Sequence, residues 1–157
     1  MKTSTRFDNA IKKLYTAFNE DLLNPECCKQ CAVGNILDQK DAWKYLSDDH
    51  GSLKLNYLGL VHQNLGRTFN GYSPLELLKI EAAFLKGCGY ELPLHHKNKR
   101  PKNSTNKDIL FNGLKETIKV LCDFDNIENI MDYSNVFKAI ITKNSDLKFT
   151  NFEFENV

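Results

Sequence analysis

Phe7, Ile11, Leu14 and Phe18 recur at helical spacing, with Asp8, Lys12 and Lys13 mostly on the other side. That pattern predicts an amphipathic helix over Thr5–Glu20. Asn24-Pro25-Glu26 then supplies a cap, a first-turn proline and a first-turn acid. It predicts a second, short helix that carries Cys27, Cys28 and Cys31 and ends near Gly34-Asn35. Asp41 is placed to cap a turn bearing Trp43, Tyr45 and Leu46, and residues 47–51 read as a loop. The run 53–65 fits a buried helix with Leu58, Val61 and Leu65 on one face, although Leu53, Leu55 and Tyr57 alternate as in a strand. Residues 66–72 form a turn segment around Asn70-Gly71.

Ser73-Pro74-Leu75-Glu76 has an N-cap, a first-turn proline and a capping-box acid in the right order, which opens a helix that Gly87 should close. Leu75, Leu78, Ala82 and Leu85 line one face, and Leu77, Ile80 and Phe84 widen it, so this helix is expected to pack on two sides. Residues 95–107 are a long exposed basic loop. Leu110, Leu114, Thr117 and Leu121 predict a further helix over about Asn106–Asp123. Phe137, Ile140 and Ile141 predict a last one over Ser134–Thr142. In the tail, 146–157, Phe152 and Phe154 alternate with Glu153 and Glu155, as in a short C-terminal strand or a segment laid on the body. The expected fold is all-α: one compact domain over residues 1–157, with five or six helices.

Composition narrows the function classes. Lys and Arg number 21 against 20 Asp and Glu, for a net charge of +1, which excludes a strongly basic nucleic-acid binder as a whole-chain description. Hydrophobic residues at 41% and charged residues at 26% are ordinary for a globular chain rather than a disordered one. The first ten residues are polar, and no run approaches the roughly 18 apolar residues of a membrane span. A soluble, cytoplasmic protein with reduced cysteines is the expectation. The neutrality is an average: Lys97, Lys99, Arg100, Lys102 and Lys107 fall in one loop beside His95 and His96. Any contact with nucleic acid is expected through that loop alone, and a solvated loop is the simpler reading.

The five cysteines are the pointed chemical feature, and Cys27, Cys28 and Cys31 cluster. On a helix, Cys28 with Cys31, or Cys27 with Cys31, shares a face, so two thiolates can approach one ion. A zinc or iron site then needs more ligands, for which Cys88, Cys122 and the four histidines are the candidates, Cys88 and His62 foremost among them. A second paired motif is missing. First-turn thiols also feel the positive end of a helix dipole, which favours thiolate and redox chemistry. Against both stands simple packing, since free cysteine behaves as a small hydrophobe. That reading makes the protein a small helical binding or interaction module with structural cysteines. Its alternative is a thiol-based metal or redox protein. No complete catalytic motif is present: Cys31 or Cys88 with His50 or His62 would make a nucleophile and base, but the spacing selects no pair. Asp48-Asp49-His50 reads as a turn-forming cluster. Gly87-Cys88-Gly89 and Asn64-Leu65-Gly66-Arg67 lack the strand–loop–helix context of a nucleotide or flavin cradle.

Pro25-Glu26-Cys27-Cys28, Cys31-Ala32-Val33-Gly34-Asn35-Ile36, Asn70-Gly71-Tyr72-Ser73-Pro74-Leu75-Glu76, Ile80-Glu81-Ala82-Ala83-Phe84 and Leu110-Phe111-Asn112-Gly113-Leu114 resemble a family of small bacterial proteins from the Bacteroidetes. The resemblance spans most of residues 6–124. It implies no activity and no catalytic residue set. Some members bear the label of a component of the sodium-translocating NADH:quinone reductase. The present sequence departs from that enzyme in lacking a membrane helix, a ferredoxin cysteine pattern and flavin- or nicotinamide-binding segments.

Overall fold

A computed structural model describes residues 4–127. The expected helix 134–142 and the tail 146–157 lie outside the described residues. Among those described, five α-helices and one 3-10 turn make an all-α fold, and no helix is long and apolar enough to cross a membrane.

Helix α1 (Thr5–Asn19) starts where Ser4 Oγ accepts the Phe7 N–H, and it buries Phe7, Ala10, Ile11, Leu14 and Phe18, the stripe read from the sequence. The expected cysteine-bearing helix is different. Residues 24–31 form a turn, and α2 runs only from Ala32 to Ile36, with Cys31 as its N-cap. The physical reason is local competition. Asn24 Oδ1 accepts the Glu26 N–H at 3.0 Å, and Asn24 N–H donates to Gln30 O at 2.7 Å. The Asn-Pro-Glu signal thus closes an Asx-type turn instead of opening a helix. Asn35, buried on α2, locks the turn by donating its amide to Gln30 O and Cys31 O.

A 3-10 turn (Ala42–Leu46) buries Trp43 and Leu46, with Asp41 at its start but making no side-chain cap bond. Helix α3 begins at Tyr57, not Leu53, and ends at Asn64; the alternating residues before it form no strand. It is not a buried helix. Tyr57 is 83% exposed, and Leu58, Leu60 and Leu65 also face solvent. Gly59 explains this: a Cβ there would collide with the Leu46 carbonyl, so α3 meets the body through its bare backbone rather than through its leucines. An isolated bridge, Phe69 with Tyr72, closes the Asn70-Gly71 turn.

Helix α4 (Pro74–Cys88) has the capping box at Ser73 and Glu76 in full. It packs most extensively on α5 (Lys107–Phe124), and also on α2, α3 and the 3-10 turn, as its wide apolar surface requires. It does not stop at Gly87 but at Gly89, whose φ of 100° forms the left-handed C-cap. Gly87 stays helical for packing reasons. A Cβ there would strike the Asn112 carbonyl and Gly113 Cα, so glycine permits the close crossing of α4 and α5. Arg6 joins the ends of α1, α4 and α5: Nε donates to Asp125 at 2.9 Å, and Nη1 donates to Gly71 O at 2.7 Å and to Glu76 at 3.0 Å.

Candidate functional site

Three separate segments converge near the start of α2. The 24–31 turn brings Cys28 to a half-buried position, and its carbonyl accepts the indole N–H of Trp43 at 3.0 Å. Cys31 is wholly buried; its sulfur accepts the Gly34 N–H at 3.4 Å, while the thiol points to Cys28 O at 3.6 Å. Gly34 lets this turn lie flat on α2, because a Cβ would overlap the backbones of Cys28 and Lys29.

The second segment is the 47–51 loop, folded by Ser47 Oγ donating to Asp49 O at 2.8 Å. It holds His50, whose carbonyl accepts the Leu94 N–H at 2.8 Å and whose ring meets Trp43 edge-on at 5.5 Å. The third is α4, which contributes Glu81 with no exposed surface.

The imidazole of His50 sits between the other two groups. Nε2 lies 2.7 Å from Glu81 Oε2, and Nδ1 lies 3.9 Å from Cys28 Sγ. The second carboxylate oxygen, Oε1, accepts the Val33 N–H at 3.2 Å. As a carboxylate Glu81 only accepts, so the hydrogen bonding assigns the proton of a neutral His50 to Nε2 and leaves Nδ1 with a lone pair toward the Cys28 thiol. Ligand atoms of Cys31, His50 and Glu81 also lie within 4.8 Å of one another.

The surroundings keep the sulfurs protonated at rest. Burial pushes the Cys28 thiol up, and the Glu81 charge adds to it. The Cys31 thiol is pushed well above its ordinary range by burial first and then by Glu81. A proton acceptor beside Cys28 therefore matters more than helix-dipole activation.

Of the residues singled out in the sequence, Cys28, Cys31 and His50 meet here. Cys27 is half-exposed in the same turn and outside the Cys31–His50–Glu81 group. Cys88 is buried on α4, its thiol pushed up to about 12 by burial first, at the place where α4 crosses Gly113. Cys122 is buried on α5. His62 lies on α3, where its Nδ1 is buried without a hydrogen bond among the described residues and its ring meets Phe69 edge-on at 6.0 Å. Glu81 is not among the candidate site residues read from the sequence, although it lies in the 80–84 stretch and a lone acid among Leu77, Leu78 and Leu85 on the core face of a helix is a readable signal. Of the five charges read into the basic loop, Arg100 pairs with Glu26 at 2.9 Å, and Lys107, which is the first residue of α5 rather than part of the loop, pairs with Asp21 at 2.9 Å, both at the surface.

Comparison with protein-family models, curated proteins and solved structures finds no match, and the chemistry of the site is read from its own geometry.

Proposed function

We propose that the protein works through thiol chemistry at Cys28, with His50 as the proton acceptor and Glu81 as the positioning residue. The observation that carries this reading is the order of groups: sulfur, imidazole, buried carboxylate, at 3.9 and 2.7 Å. That order is the general arrangement of an activated nucleophile, a base and the group that orients the base. In the step it supports, the Cys28 proton passes to His50 Nδ1 as sulfur forms a bond to an electrophilic carbon. Glu81 stabilises the resulting imidazolium, which returns the proton to the departing group. The half-buried sulfur suits a small or extended electrophile rather than a bulky one. A reducing compartment, the cytoplasm, keeps such a thiol available.

A second reading, a small helical interaction module with structural cysteines, draws support from the burial of Cys31, Cys88 and Cys122 and from the apolar residues that α3 presents to solvent. Alkylation separates the two. Under the thiol reading, iodoacetamide modifies Cys28 in the metal-free native protein, and His50→Ala slows that modification by at least tenfold. A Cys28 rate that does not respond to His50→Ala favours the packing role instead.

A further inference from the structure

We propose that Cys31, His50 and Glu81 form a binding site for a divalent cation of the zinc class, and that its occupancy silences the Cys28 thiol. The silencing rests on the thiol reading above; the cation site does not.

A sulfur, an imidazole nitrogen and a carboxylate oxygen come from the N-cap of α2, the 47–51 loop and the middle of α4, and lie within 4.8 Å of one another. Around a tetrahedral zinc, with bonds of about 2.0–2.3 Å, neighbouring donors stand about 3.3–3.8 Å apart. Side-chain adjustment of about an ångström reaches that spacing, the wider separations closing and the 2.7 Å contact between His50 and Glu81 opening to admit the ion. Cys31 and Glu81 are wholly buried and the His50 side chain is 14% exposed, so the site is enclosed, with His50 at its edge as the way in.

Charge points the same way. A buried carboxylate, held by one backbone N–H and one imidazole, is costly to keep in an apolar interior. A dication that takes a Cys31 thiolate and the Glu81 carboxylate, with neutral His50, makes a neutral cluster; the thiol proton is released to solvent. A mixed sulfur, nitrogen and oxygen set selects borderline metals such as Zn²⁺ or Co²⁺ over Mg²⁺ or Ca²⁺. Cys28 provides a second sulfur 3.9 Å from the same ring. These ligands differ from the foremost set read in the sequence: Cys31 is kept, His50 takes the place of His62 among the four candidate histidines, Glu81 enters, and Cys27, Cys88 and His62 stay outside the group.

The consequence for reactivity follows from His50 serving both roles. An imidazole fixed to a cation beside Glu81 no longer accepts the Cys28 proton, so the bound metal and the active thiol exclude each other.

The test uses the reduced, metal-free full chain titrated with Zn²⁺ and, for its thiolate-to-metal absorption, with Co²⁺. The expected result is one ion per chain, unaffected by excess Mg²⁺, with affinity falling at least tenfold in Cys31→Ser and in His50→Ala but holding in Cys88→Ser. Zinc at saturation slows Cys28 alkylation at least tenfold. Circular dichroism of each variant controls for folding, and His50→Ala is the safer substitution because its side chain lies at the edge. No stoichiometric binding, or binding that survives both ligand substitutions, overturns the cation site. Binding that leaves the alkylation rate unchanged overturns the switch. A metal-free Cys28 rate indifferent to His50→Ala counts against the thiol reading, and with it the switch, while the cation site stands or falls on the titrations.

Discussion

His50 Nε2 and Glu81 Oε2 stand 2.7 Å apart, joining a loop residue to a helix residue 31 positions further along the chain. The contact gives the buried acid a partner and gives the imidazole a fixed orientation, and both effects are separately measurable.

Glu81→Gln keeps the size of the side chain and an oxygen for the Val33 N–H, but removes the carboxylate from His50. Its expected cost in stability is about 1 kcal/mol. Glu81→Leu leaves Val33 N–H and His50 Nε2 both unsatisfied and should cost about 2–3 kcal/mol. Urea denaturation of the two variants beside the parent checks the order.

Gly34→Ala should destabilise the protein by at least about 2 kcal/mol, because the added methyl overlaps the backbones of Cys28 and Lys29. Any folded fraction should have lost the Cys28–His50 approach. Thermal unfolding read beside site-specific alkylation detects both effects.

Arg6 bridges Asp125, Glu76 and Gly71 O while its guanidinium lies 4.5 Å from the centre of the Tyr72 ring. Its side chain is 23% exposed, so solvent screens part of the benefit, and Arg6→Met should cost about 2 kcal/mol. The clamp lies among the ends of α1, α4 and α5, and its hydrogen bonds go to Asp125, Glu76 and Gly71 rather than to Cys28, His50 or Glu81. Cys28 alkylation in Arg6→Met should therefore stay within twofold of the parent, which distinguishes a stability defect from a site defect.

The pH dependence of stability has two arms. Burial opposes the ionisation of Asp125, but hydrogen bonds from Arg6 and Ser4 outweigh it and hold the carboxyl below its usual range. Its contribution is present above an ordinary aspartate pKa of about 4 and is lost as pH falls below that. Cys88 acts in the opposite sense. Its thiol stays protonated to about 12 in the folded chain against 9.0 in the open one, so its contribution is complete below about pH 9 and declines as pH rises toward 12. Denaturation midpoints should fall at both extremes, and Cys88→Ala should shallow the alkaline arm only.

The helices that depend on local signals are legible in the sequence. Ser73, Pro74 and Glu76 form a local helix-start signal that the fold realises as a full capping box, and the stripe of Phe7, Ile11, Leu14 and Phe18 needs no knowledge of its neighbours. The cysteine turn misleads because Asn24 and Pro25 suit a turn as well as a helix start, and tertiary bonds from Asn35 and Trp43 decide between them. Leu58 and Leu65 suggest burial, yet Gly59 sets which side of α3 meets the core. Cys28 and Cys31 stand out by their spacing. Their joining to His50 and Glu81 depends on how α4 lies against the loops, which no local pattern encodes.

The central claim is that Cys28, His50 and Glu81 act as one unit, and the most direct test is the Cys28 alkylation rate in the metal-free parent, His50→Ala, Glu81→Gln and the double variant. Groups acting as a unit are non-additive. The expected result is that each single substitution slows the reaction, and that the double variant is no slower than His50→Ala alone. Independent, multiplying effects, or a rate that ignores both substitutions, would contradict the account.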